Sequence, residues 1–368
     1  MLKINLIALT LVLLIFLVVF SRSCSFGNSR DLPRMYELYK RDYMSKDGRI
    51  MDPKINNSTT SEGQAYMLMR SVASDDKQTF DLVYKWTEEH LKRQDNLFSW
   101  LWGMNTHGKN GIIDDNSASD ADVDIAFALI IAYQNWHDDK YLIEAKKIIS
   151  SIWNYEIKNI DGYNILMPGV IQACCKDKIE INPSYFSPYA FKLFQMYDKT
   201  NDWNSLVESS YYFLEKSMDK TATGLPPNWF LVQGNQIILE DSARSDFSYD
   251  AVRVFPRYYL DYIATGDKRT LAILQKSAFF ISKWKEDGKL FVNYRSNGEL
   301  RDKDRFIGSI AVLVPAISLS DKMVAFDIYT KEVLPYINNP TYWSIVPDYY
   351  GKNLLWFGCY LYGLDNAQ

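Results

Sequence analysis

The chain has 368 residues, 47% of them hydrophobic, which is enough for one large core or two ordinary ones. It carries 41 basic and 45 acidic residues, a net charge of −4, so it lacks the basic field of a nucleic-acid binder. Its three His (His90, His107, His137) and four Cys (Cys24, Cys174, Cys175, Cys359) show no metal-ligand spacing and do not suggest a disulfide-stapled scaffold.

Lys3 precedes an apolar run from Leu6 to Phe20 broken only by Thr10. Residues 1–28 therefore read as an export signal or a short N-terminal membrane anchor. No small-x-small cleavage site follows cleanly, and Arg22 stands where a lipoprotein site ahead of Cys24 wants a small or apolar residue. An uncleaved anchor is the favoured reading, with residues 29–368 forming one extracytoplasmic domain.

Beyond this segment, apolar residues recur at helical spacing. Leu32, Met35, Leu38, Tyr39 and Tyr43 mark a first helix. Thr60 or Ser61 can cap a second, from Glu62 to about Val72. Phe80, Leu82, Val83, Trp86 and Leu91 mark a third. Residues 95–116 read as loop, with Trp100-Leu101-Trp102-Gly103, Gly108 and Gly111.

In the fourth helix, every residue from Ile125 to Tyr133 is apolar, so it should be buried on all sides. Ser117, Ser119 or Asp120 can cap it, and Asp120, Asp122 and Asp124 stand at its positive end. A fifth helix is expected over 140–155, irregular chain over 158–182, and a sixth from Pro183 through Tyr185 to Met196. A seventh runs 203–218. A loop from Gly224 to about Phe247 has room for a hairpin at 230–239. Further helices are expected at 249–263, 268–284, 305–318, 322–336 and 353–364.

These twelve helices alternate in character. Those at 62–72, 120–136, 184–196, 249–263 and 305–318 begin with polar motifs and run apolar, while the intervening ones carry more charge. That alternation predicts an all-α fold, an (α/α)6 barrel of six inner and six outer helices. No repeated signature at a fixed period supports a solenoid.

Such a barrel gathers the starts of its inner helices at one end. Glu62 there is either a first-turn acid answering the helix dipole or a general acid. Asp250 is either the partner of an i,i+3 ion pair with Arg253 or a general base, with Tyr249 and Arg253 orienting it or touching substrate. Gly63 would let a substrate approach closely. Trp100 and Trp102 can be sugar platforms or core anchors. Paired carboxylates with aromatic platforms point to glycoside hydrolysis. There is no Gly-x-Ser-x-Gly, Walker loop or dinucleotide fingerprint, so neither a cofactor nor a metal is expected.

Ala118-Ser119-Asp120-Ala121-Asp122, followed by Ile125-Ala126, Ala128-Leu129-Ile130, Ala132 and Trp136, resembles the signature of glycoside hydrolase family 8. Ser61-Glu62-Gly63-Gln64 with Tyr66 and Met67 resembles its general-acid segment, and Tyr249-Asp250-Ala251-Val252-Arg253 its general-base segment. Asn182-Pro183-Ser184-Tyr185-Phe186 and Gly224-Leu225-Pro226-Pro227-Asn228-Trp229 are also similar to family segments. The resemblance covers about residues 32–364.

It implies inverting hydrolysis of a β-1,4-linked polysaccharide, with Glu62 as acid, Asp250 as base and Asp120 holding the sugar at the scissile position. Tyr249 and Arg253 would line that subsite, and Trp100, Trp102 and Tyr185 would be platforms. The expected partner is a polysaccharide, a bacterial exopolysaccharide or cellulose-like polymer, met by a monomer associated with an exopolysaccharide synthase system. The alternative is a non-catalytic glycan-binding or scaffolding component of such a system. A polysaccharide lyase on a similar toroid would need a base beside a uronic acid and basic neutralisers.

Overall fold

The computed structural model describes residues 31–171, 178–234, 236–339, 343 and 349–365. Residues 1–28, read above as an export signal or membrane anchor, with Cys24, and the Cys174-Cys175 pair lie outside the described residues. Among those described are fourteen α-helices. In chain order they are α1 (Asp31–Tyr43), α2 (Ser61–Ala73), α3 (Lys77–Leu91), α4 (Ser119–Trp136), α5 (Asp139–Ser151), α6 (Pro188–Tyr197) and α7 (Trp203–Met218). Then come α8 (Val254–Thr265), α9 (Arg269–Leu274), α10 (Ala278–Asp287), α11 (Ile307–Ser318), α12 (Lys322–Ile328), α13 (Leu334–Asn338) and α14 (Tyr349–Asp365).

Six of these close a ring. Helix α2 packs on α4, α4 on α6, α6 on α8, α8 on α11, α11 on α14, and α14 back on α2. Each has an outer partner: α1 lies on α14, α3 on α2, α5 on α4, α7 on α6, α9 on α8, and α12 on α11. The fold is thus the (α/α)6 barrel that the alternation of apolar and charged helices predicts. The all-round apolar helices are the inner ones; from Ser119 to Ala132 every residue of α4 is buried. Helices α11 and α14 approach so closely that a Cβ on Gly358 would stand 2.4 Å from the Ala311 carbonyl carbon, and one on Gly308 2.6 Å from the Gly351 oxygen. Only glycine fits at that crossing.

The helix limits differ from the sequence reading where proline or a side-chain clamp intervenes. Pro183–Tyr185 is an isolated 3-10 turn, and α6 begins at Pro188. The ring of Pro188 keeps Ser187 out of the α region (φ −127°, ψ 68°), so one helix cannot run through both prolines. Helix α8 begins at Val254, five residues later than its pattern suggests, after a 3-10 turn at Ala251–Arg253. Here Asn228 Oδ1 accepts from the backbone N–H groups of Ser248 and Ala251, which holds the chain in a turn. A 3-10 turn at Gln275–Ser277 divides α9 from α10, and a wide turn at Tyr329–Val333 ahead of Pro335 divides α12 from α13.

Three small antiparallel sheets ride on the barrel. The first joins β1 (Thr59–Thr60), β2 (Ser99–Met104) and β3 (Asn110–Ser117), with Trp102 opposite both Thr59 and Ile112 and Gly103 opposite Gly111. The second pairs β4 (Ile157–Ile160) with β5 (Tyr163–Leu166). The third joins β6 (Ile179–Ile181), β7 (Phe230–Gln233) and β8 (Gln236–Ile238). Residues 95–116 are therefore largely a hairpin rather than loop, and 158–182 hold strands. Their glycines, acids and short lengths hide the period-2 alternation by which a strand is read. The β7–β8 hairpin falls inside the expected 230–239.

Candidate active site

Glu62, Asp120, Asp250 and Arg253 meet at the end of the barrel where the inner helices begin. Glu62 lies in the first turn of α2, whose cap is Thr60: its hydroxyl oxygen accepts from the Gly63 N–H at 3.0 Å. The positive end of the helix favours an acid at that position. Gly63 itself does not face a ligand. A Cβ there would meet the Tyr349 ring at 3.0 Å, so the space beside it is already filled.

At the start of α4 the expected side-chain cap is absent. The N-cap is Ala118, with no side-chain cap bond, and the Ser119 N–H goes to the Pro168 carbonyl at 3.0 Å. The acids of this turn take other partners. Asp120 turns to Arg253. Asp122 Oδ1 accepts from the Phe98 N–H at 3.0 Å. Asp124 is held by both arms of Arg257 at 2.8 and 2.9 Å and by the Tyr189 hydroxyl at 3.1 Å, deep in the barrel.

Arg253 organises the cluster. Its Nη1 donates to Glu62 Oε2 at 2.7 Å and to Asp120 Oδ2 at 2.9 Å, and its Nη2 donates to Asp250 Oδ1 at 2.9 Å. The Tyr66 hydroxyl lies 3.4 Å from Nη1. The rings of Tyr185 and Tyr350 stand 5.4 and 6.0 Å from the guanidinium carbon, within cation–π range. The second oxygen of Asp250, Oδ2, accepts from the Trp229 indole N–H at 2.9 Å.

Exposure separates the three carboxylates. The Asp120 side chain is 3% exposed, that of Glu62 22% and that of Asp250 37%. Asp120 is the most buried of the three, and Glu62 and Asp250 are more open. Burial lifts Glu62 to about 7; Arg253 opposes the rise, and Asp120 and Asp250 add to it. Burial likewise raises Asp120, against the pull of Arg253. Burial would discharge Arg253, but Tyr350, Tyr66, Glu62 and Asp120 hold its charge firmly. A guanidinium only donates, so the proton that Glu62 retains belongs on Oε1, away from Arg253. Among the described residues no group of three or more His, Cys, Asp or Glu side chains is placed to hold a metal ion.

Beside this cluster a cavity of about 320 Å3 is lined by Trp100, Ala118, Pro168, Glu180, Tyr185 and Trp229. Three aromatic rings in one wall suit the apolar faces of sugars. Trp102 is elsewhere: its ring packs edge-on against Trp86 at 5.4 Å and His90 at 5.9 Å, with Arg49 4.3 Å above it. Irregular pairing at Leu101 breaks the strand alternation, so the i, i+2 spacing does not put both tryptophans in the cavity wall. Tyr249 donates to Asp304, packs edge-on to Phe306 at 5.3 Å and offers its carbonyl to the Tyr350 hydroxyl at 2.8 Å. The structure thus gathers Glu62, Asp120, Asp250 and Tyr185 around the Arg253 guanidinium, with Trp100 in the adjoining wall.

Sequence reasoning did not assign roles to Trp229, Tyr350 or Tyr66. Trp229 and Tyr66 lie inside segments that carry the family resemblance, and that was their only signal. Tyr350 had none.

Comparisons with known proteins identify the family and the fold. The sequence model of a family described as glycosyl hydrolases family 8 matches residues 4–291. An endoglucanase of Escherichia coli is 32% identical over 228 residues, covering 60% of this chain and 60% of that protein. Endoglucanase A of Acetivibrio thermocellus is 28% identical over 311 residues, 82% of this chain and 61% of that protein. The matched region thus spans about 60% of the length of these relatives. Among solved structures, an endo-1,4-D-glucanase from Vibrio fischeri superposes with a TM-score of 0.77 at 27% identity, over 89% of this chain and 93% of that one. A family 8 endoglucanase from Klebsiella pneumoniae gives 0.74 at 24% identity, over 91% and 100%, a likeness of fold.

Proposed function

The chain belongs to glycosyl hydrolase family 8, and on that premise we propose that it is an inverting endo-acting hydrolase of a β-1,4-linked polysaccharide. The observation that carries this reading is the three carboxylates on one guanidinium, one of which keeps its proton to about pH 7. Glu62 donates that proton to the glycosidic oxygen as the bond to the anomeric carbon breaks. Asp250 takes a proton from a water that attacks the same carbon from the opposite face, so the configuration inverts. Asp120 is buried and fixed by Arg253, and it receives hydroxyls of the sugar at the point of cleavage. Arg253 holds the acid on Nη1 and the base on Nη2. Trp100 and Tyr185 carry neighbouring sugar rings.

The relatives named as endoglucanases support a glucan-like polymer as substrate. The apolar run at Leu6–Phe20 supports an extracytoplasmic enzyme, secreted or anchored; a bacterial exopolysaccharide or cellulose-like biofilm polymer as substrate, and a monomer acting beside a synthase system, complete the proposal. The test is release of reducing ends from purified β-glucan, chitosan, xylan and exopolysaccharide by the wild-type protein and Glu62→Gln. The reading requires polymer cleavage by the wild type and loss of at least about a hundredfold in the variant, with glycan binding retained. Full activity in Glu62→Gln would sink the assignment.

A further inference from the structure

Asp250 can serve as a base only if its carboxylate stays in one orientation while water is bound. A carboxylate on an aspartate rotates about its last side-chain bond, whose torsional preference is broad. One hydrogen bond, from Arg253 Nη2 to Oδ1 at 2.9 Å, leaves that rotation free. The second restraint comes from the other side of the site, where the Trp229 indole N–H donates to Oδ2 at 2.9 Å.

Trp229 is itself firmly held. Its backbone N–H donates to the Arg244 carbonyl at 2.6 Å. The Arg244 guanidinium lies 4.5 Å over the indole and is paired with Glu180 at 2.5 Å. Tyr185 packs edge-on to the indole at 6.0 Å. The preceding residue, Asn228, bonds the Ser248 hydroxyl at 2.7 Å and accepts from the Ala251 N–H at 3.0 Å, so the indole and the segment bearing Asp250 are fastened together.

We propose that Trp229 is a positioning residue for Asp250, its indole N–H pinning Oδ2 while Arg253 pins Oδ1, so that the base keeps one lone-pair direction open to the attacking water. The inference rests on the assignment of Asp250 as the base. Without the indole donor, Oδ2 loses a hydrogen bond that favours the charged carboxylate, and the group turns about its last bond and loses its aim. Small misplacements of a reacting group are costly in rate, and a hydrogen bond to a charged group is stronger than a neutral one.

Trp229→Phe keeps an aromatic ring under Arg244 and removes the donor. The expected result is a fall in kcat of about tenfold or more, with KM within about twofold and the acid limb of the kcat/KM profile moved to higher pH. A platform role alone would raise KM and leave the acid limb in place. If the variant folds poorly, β-(3-benzothienyl)alanine at position 229 keeps the bicyclic shape and lacks the N–H; the same changes are expected. Wild-type kcat and an unmoved acid limb in either variant, while Asp250→Asn is inactive, overturn the inference alone. Full activity of Asp250→Asn, or no hydrolysis by the wild type, overturns the base assignment and this inference with it.

Discussion

Glu62 and Arg253 share a 2.7 Å hydrogen bond, yet the acid retains a proton far above the usual carboxylate range, to about 7. Burial wins over the neighbouring cation because Asp120 and Asp250 draw on the same guanidinium. One positive charge divided among three carboxylates neutralises none of them fully.

That balance sets a pH dependence. The acid must be protonated to act, so kcat/KM is expected to fall as pH rises through about 7. The measurement is a rate profile on a soluble polymer over a range where the fold is stable. A plateau reaching well into alkaline pH would contradict the role given to Glu62.

Arg253→Lys tests the shared guanidinium. An ammonium is a point charge without the planar fork, so it cannot hold Glu62, Asp120 and Asp250 together. We expect kcat to fall by about a hundredfold or more. Where the ammonium no longer donates to Glu62, that carboxylate loses its charge-assisted hydrogen bond and should hold its proton to still higher pH, and the alkaline limb should move upward. An alkaline limb that stays in place would show that Arg253 does not act on Glu62.

A third prediction concerns stability. Asp122 and Glu156 are wholly buried. Asp122 Oδ1 takes the Phe98 N–H and Glu156 Oε1 the Ser117 hydroxyl. The remaining oxygens, Asp122 Oδ2 and Glu156 Oε2, have no hydrogen-bond partner, and each carboxyl acts on the other electrostatically. Two neighbouring buried acceptors without a donor are relieved by a proton held between them. Asp120, and Asp95 beside Arg93, also face this pair. Burial pushes Glu156 up to about 7. A folded-state value above the unfolded one means the stabilisation is complete below the unfolded value of 4.5 and is lost as pH rises through about 7. Asp122→Asn replaces the shared proton by a permanent N–H donor. Thermal melting should show the wild type losing several degrees between weakly acidic and weakly alkaline buffer and the variant losing less. Equal slopes would refute the shared proton.

The two tryptophans of β2 should behave differently. Trp100→Ala removes a ring from the 320 Å3 cavity and should raise KM for long polymer by about 2–10-fold, with little change in melting temperature. Trp102→Ala removes the partner of Trp86, His90 and Arg49 and should lower the melting temperature by about 2–4 °C or more, with KM nearly unchanged. Initial rates on oligomers of graded length and a thermal melt separate the two. The reverse pattern would place Trp102 in the binding wall.

Barrel and acidic centre were both legible in the chain, for different reasons. An inner helix such as α4 has no polar face, and the alternation with charged outer helices is a local property of composition. Glu62, Asp120, Asp250 and Arg253 could be named because each sits in a recognisable segment. What sequence order hides is the meeting of segments. Trp229 is 21 residues from Asp250 along the chain and touches it through a loop. Tyr350 reaches the guanidinium from the last inner helix. The aromatic spacing at Trp100 and Trp102 misleads because irregular pairing at Leu101 turns the rings apart.

The barrel closes by seating α14 between α2 and α11, and Tyr350 in the first turn of α14 bonds the Tyr249 carbonyl next to Asp250. Contacts between the earliest and latest inner helices are distant in sequence, and such pairings form slowly. During synthesis, Glu62, Asp120 and Asp250 all leave the ribosome well before the stave that completes their enclosure. A nascent chain lacking α14 would be an open arc with apolar inner faces of α2 and α11 bare. Acquisition of activity should therefore coincide with the last step of folding, not accumulate helix by helix.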